Sequence, residues 1–133
     1  TVLGEEAMPA IQTPMELPLQ GPLTDVTESL QQHLASSSIG GPGLLQVFMQ
    51  DAAFGLLCAE EQACSAWLRA VSAIPGAAGN AAVCAALAGP SLIIPICDTG
   101  ELLLGSSQRV YVCTADAQRT LDGSEAARLL LTA

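Results

Sequence analysis

Lysine is absent from this 133-residue chain, and its only cations are Arg69, Arg109, Arg119 and Arg128. Thirteen acidic residues bring the formal net charge to −9. Such a chain repels phosphate backbones, so sequence-independent nucleic-acid binding has no electrostatic support. An anionic membrane surface is disfavoured by the same argument. Histidine occurs once, at His33, which starves both multi-histidine metal centres and Ser-His-Asp machinery of their central residue. Aromatic residues are 3% of the chain, so Ala, Leu, Val and Ile must fill the core. No run reaches the ~18–20 apolar residues that span a bilayer. The longest candidate, 81–96, is broken by Gly89, Pro90 and Pro95. There is no glycine-rich phosphate loop and no G-x-S-x-G. The five cysteines, Cys58, Cys64, Cys84, Cys97 and Cys113, are an odd number with no C-x-x-C spacing. They fit neither a disulfide framework nor a zinc knuckle, and read as reduced thiols in small apolar positions. Thiols of that kind, with no basic or apolar leader in 1–6, make a cytoplasmic protein the expectation.

What remains is a foldable chain. Half the residues are hydrophobic and 13% are charged, the reverse of a disordered composition. The length suits a single domain over 1–133, with 1–14 as a loosely packed N-terminal segment. Met15, Leu17 and Leu19 alternate as in a strand, and Pro14 and Pro18 confine that strand to a sheet edge. After the Gly21-Pro22 turn, Thr27 is placed to cap a helix bearing Leu30 and Leu34 on one face. A glycine-rich loop over 40–43 leads into a strand at 44–50. Glu60, Ala63, Cys64, Trp67, Leu68, Val71 and Ile74 recur at helical spacing, so a helix is predicted over 60–74 and stopped by Pro75-Gly76. Asn80 caps a second helix through Leu87. Strands follow at 92–96, 101–104 and 109–114. Asp122-Gly123 is a turn, and 124–131, opened by Ser124, has local helix propensity. Short turns between adjacent strands indicate an α+β fold with antiparallel sheets.

Two blocks give the chain a family likeness. The first is Gly43-Leu44-Leu45-Gln46-Val47-Phe48-Met49-Gln50 with 51–60. The second is Ala85-Ala86-Leu87-Ala88-Gly89-Pro90-Ser91-Leu92-Ile93-Ile94-Pro95-Ile96, followed by 103–113. In order and spacing they resemble the YjbQ-like family of small proteins, often named secondary thiamine-phosphate synthases. The likeness covers most of 15–133. It implies two β-sheets, antiparallel or mixed, packed as a sandwich with a few short helices, and a homotrimer. It also implies that the tail is the last strand, against its local helix propensity.

The resemblance further implies a metal-binding site, and here the chain departs from it. Family histidines correspond to Asp51 and Ala82, a lysine to Cys84, and the T-W-Q motif to Ser106-Ser107-Gln108. No metal or cofactor is therefore expected. The residues carried over as pocket candidates are Asp51, Glu60 and Gln108 in catalytic roles, and Ser91, Cys97 and Tyr111 for ligand contacts. Each has a plainer reading: Asp51 caps a turn, Glu60 opens a helix, Gln108 closes a strand end, and the cysteines fill space. The leading expectation is a non-catalytic trimer that binds a small ligand or a partner, with a small phosphorylated molecule as one candidate. The alternative is a divergent enzyme with thiamine-phosphate synthase-like or phosphate-ester chemistry around Asp51, Glu60 and Gln108.

Overall fold

The alternating apolar residues near the start form β1 (Gln12–Pro18), the first strand of a computed structural model that describes residues 11–37, 41–76, 80–114 and 126–133. With β3 (Gly43–Met49), β5 (Ser91–Ile96) and β7 (Ala126–Thr132) it makes a four-stranded sheet ordered β1-β7-β3-β5. β1 is at the edge, where prolines that lack an N–H are tolerated. A second sheet, ordered β2-β6-β4, contains β2 (Leu23–Asp25), β4 (Gly55–Ala59) and β6 (Arg109–Cys113). Every pairing is antiparallel.

The core forms where the inner faces of the two sheets meet. Leu45, Val47 and Met49 of β3, Ile94 and Ile96 of β5, and Ala127, Leu129 and Leu131 of β7 point inward. They join Leu56, Val110 and Val112 of the second sheet, and Leu30 and Leu34 of α1 (Thr27–Ser36). The other side of β4 is covered by α2 (Glu61–Ser72) and α3 (Ala81–Ala88). Gly55 is what lets α3 come so close. A Cβ added there would sit 2.6 Å from the Ala88 Cβ and 3.0 Å from the Ala85 carbonyl oxygen.

The tail settles as β7, not as a helix. It pairs with β1 on one side and β3 on the other, and burying alternate residues 127, 129 and 131 outweighs the local propensity of Ala126, Ala127 and Arg128. The expected strand at 101–104 is not one: it contributes an isolated bridge, Leu102 to Ile96, and a Leu103 N–H bond to the Pro95 carbonyl. The cap at Thr27 also differs. α1 starts from Val26, and the Thr27 hydroxyl turns to β6. Asn80 caps α3 as anticipated, its Oδ1 accepting the Val83 N–H at 3.2 Å. The Asp122-Gly123 turn lies outside the described residues. β2 and β4 are short strands that the sequence pattern does not announce.

Candidate functional site

Asp51 follows β3, in the turn that carries the chain to β4. Its Oδ1 accepts the Ala53 N–H at 3.1 Å and its carbonyl accepts the Phe54 N–H, so the carboxylate closes that turn. The second carboxylate oxygen is not used by the turn. Asp51 also lines a cavity of about 430 Å³ with Ala82, Ala85 and Ala86 of α3 and with Phe48 and Phe54. The two positions matched to family histidines, 51 and 82, thus share one cavity. Among its lining residues Asp51 is the only charged one.

The other candidates lie elsewhere. Glu60 is the residue before α2, exposed, with extended backbone and no side-chain cap bond. It lies at the far end of β4 from Asp51. Five residues of strand separate the two by roughly 17 Å at ~3.4 Å per residue. Gln108 precedes β6. The Ala59–Arg109 pair ends the β4–β6 ladder, so Glu60 and Gln108 flank the same ladder end. The Gln108 amide oxygen accepts the Gly105 N–H at 2.7 Å, and its N–H returns to the Gly105 carbonyl. That side chain is committed to a turn.

Ser91 opens β5 on the exposed face, beside Pro90 at the cavity wall. Cys97 follows the other end of β5. Its sulfur is 2.9 Å from the Thr99 hydroxyl, and that contact, together with backbone N–H groups of Thr99 and Glu101, draws the thiol below its usual pKa. Tyr111 is buried within β6, and burial first, then nearby Asp25 and Glu61, pushes its phenol up. Cys113, two residues on, is pushed up to about 11 by burial. The structure therefore keeps Asp51 apart from Glu60 and Gln108. All five cysteines are free thiols.

Pattern reading overlooked one polar cluster. Asp25 accepts from the Arg109 guanidinium at 2.8 Å and from the Thr27 N–H at 3.0 Å. The guanidinium also pairs with Glu28. Partial burial would raise the Asp25 pKa, but the Thr27 bonds and then Arg109 outweigh it and hold the carboxyl low. The charges stand more than 80 residues apart in the chain, so only the β2–β6 register reveals them.

The donor set does not fit a transition metal. Three or four imidazole, thiolate or carboxylate donors must converge at ~2.0–2.3 Å. Among the described residues no three His, Cys, Asp or Glu side chains do so, and the Ala82 methyl has no lone pair to offer. No helix among the described residues is long and apolar enough to cross a membrane.

Residues 15–132 match a family described as UPF0047 protein YjbQ-like. No curated protein matches the chain. Among solved structures, a structural-genomics target from C. acetobutylicum aligns with a TM-score of 0.70 at 21% identity, covering 90% of this chain and 96% of its own. A YbjQ-like protein of unknown function from Sulfolobus solfataricus P2 gives 0.70 at 14% identity, covering 93% and 96%. A hypothetical protein from Aeropyrum pernix K1 gives 0.69 at 20%, covering 91% and 96%.

Proposed function

The chain belongs to the YjbQ-like family, and from that premise we propose that it is a non-catalytic trimer whose cavity beside Asp51 binds a small, largely apolar ligand. One observation carries the reading. A cavity lies at the positions where the family likeness places histidines, and it is walled by Phe48, Met49, Phe54, Ala82, Ala85 and Ala86, with Asp51 as its single charge. An apolar pocket with one convergent polar group binds and orients a molecule. Acid–base work needs a second group within hydrogen-bond reach, and Glu60 and Gln108 lie at the other end of β4. A phosphate would face a carboxylate with no cation among the lining residues. The fitting ligand is therefore neutral or cationic, donating a hydrogen bond to Asp51.

The outer face of the four-stranded sheet supports self-association. Leu44, Phe48 and Ile93 are 60%, 42% and 63% exposed there, with half-buried Leu130 between Pro14 and Phe48 in register. Its ionic residues, Glu16 and Arg128, are cross-strand partners of opposite sign. On a chain of net charge −9, the balanced charges of that face let copies meet there without like-charge repulsion.

Sedimentation and a thermal-shift screen test both halves. A species of three times the 13.5 kDa chain mass, dissociated by Ile93→Asp, is the expected result; a monomer at micromolar concentration overturns the trimer. A neutral or cationic metabolite should raise the melting temperature, since binding the native state stabilises it by mass action. Turnover of a phosphorylated metabolite, abolished by Asp51→Asn, would instead support the divergent enzyme.

A further inference from the structure

Arg69 is set apart from the other described arginine that bears an ion pair. Both ion pairs among the described residues belong to Arg109, and Arg69 pairs with no carboxylate there. In an acidic chain without lysine, an uncommitted guanidinium is a scarce group. It is exposed, and it stands on the wall of a groove. Ser65, Leu68, Arg69 and Ser72 recur along α2 at steps of three, one and three residues, which sets them on one helical stripe. That stripe faces Pro22 and Leu23, at the entry to β2, across a groove of about 550 Å³.

The chemistry of the groove is specific. Pro22, Leu23 and Leu68 supply an apolar wall, while Arg69, Ser65 and Ser72 supply the polar groups. The Ser72 hydroxyl already donates to the Leu68 carbonyl at 2.8 Å. The Ser65 hydroxyl makes no hydrogen bond among the described residues and lies one turn before Arg69. A guanidinium fork and a hydroxyl one turn apart suit the two oxygens of a carboxylate.

We infer that this groove binds a small organic monocarboxylate, its carboxylate on Arg69 and Ser65 and its apolar body against Leu23, Leu68 and Pro22. Charge selects a monoanion. One guanidinium neutralises one negative charge, and each further charge would meet the field of a chain at −9. Di- and triphosphates are thereby excluded. The site lies apart from the Asp51 cavity and shares no lining residue with it, so it stands or falls independently of the ligand proposed there.

Phenylacetate, acetate and 2-phenylethanol separate the contributions of charge and apolar body, and amide shifts of the labelled full chain locate the binding. Phenylacetate should shift Leu23, Ser65, Leu68, Arg69 and Ser72 saturably below ~10 mM, while acetate and 2-phenylethanol bind more weakly. Arg69→Gln should weaken phenylacetate by about tenfold or more, the worth of a charge-assisted hydrogen bond. Its unchanged amide spectrum away from the groove would show that the fold is intact. Absence of saturable shifts, equal affinity in Arg69→Gln, or shifts confined to the Asp51 cavity would each overturn the proposal.

Discussion

The hydroxyl oxygen of Thr27 accepts the backbone N–H of Val110 at 2.8 Å. The β2–β6 ladder ends at the Asp25–Tyr111 pair, and the Val26 N–H then donates to the Val110 carbonyl at 2.9 Å. A side chain thus continues the sheet for one more bond and fastens the first turn of α1 to the middle of the second sheet.

Thr27→Val keeps the shape of that side chain and removes the acceptor, leaving the N–H of fully buried Val110 unpaired. The expected loss is about 1–2 kcal/mol in urea unfolding, with Thr27→Ser close to the parent. An equal loss in both variants would assign the effect to packing of the methyl group.

Gly55→Ala should be costly although the backbone there is ordinary strand. The new Cβ meets the Ala88 Cβ and the Ala85 carbonyl, so α3 must move, at about 1–3 kcal/mol. Adding Ala88→Gly should recover part of the loss, because it removes the nearer obstacle and leaves the carbonyl. Recovery is read from the unfolding midpoints of the single and double variants.

Cys97 should be the first thiol modified by a small alkylating agent near pH 8. It is half-exposed and its pKa is drawn down by Thr99, whereas burial raises those of Cys58, Cys64 and Cys113. The thiolate is the nucleophile, so the buried thiols react as the chain opens. Peptide mass mapping should find one fast label in the native protein and five after unfolding. Cys113 labelled as fast as Cys97 would contradict this ordering.

Asp51→His combined with Ala82→His should raise zinc affinity by at least about tenfold over the parent, as measured by chelator competition. The two positions line one cavity, so the new imidazoles face a common volume. No gain would mean that their side chains diverge within it.

Much of the architecture was legible because it rests on short-range pattern. Edge strand β1 follows from its alternation and prolines, α3 from Asn80, and α2 from a periodic stripe around Cys64 and Val71. What pattern alone misreads depends on distant partners. Residues 126–132 look helical until β1 and β3 flank them, and 101–104 looks extended yet finds no continuous ladder. Local composition also sees Thr27 as a cap, because Val110 lies 83 residues away. Among the site residues, the sharing of one cavity by Asp51 and Ala82 was readable only through a family likeness. The separation of Asp51 from Glu60 required the course of β4, and Arg69 emerged only when α2 was set against Pro22 and Leu23.

The place of β7 between β1 and β3 governs how the molecule can assemble in time. Its pairing of Gln12 with Thr132 closes a loop of roughly 120 residues, at an entropic cost of about 4 kcal/mol before any constant term. Helices and the local hairpin contacts can form first, but the four-stranded sheet stays in two pieces until residues from opposite ends of the chain meet. Such non-local topology belongs to the millisecond-to-second folding regime. During that interval the long edge of β3 lies open to other chains.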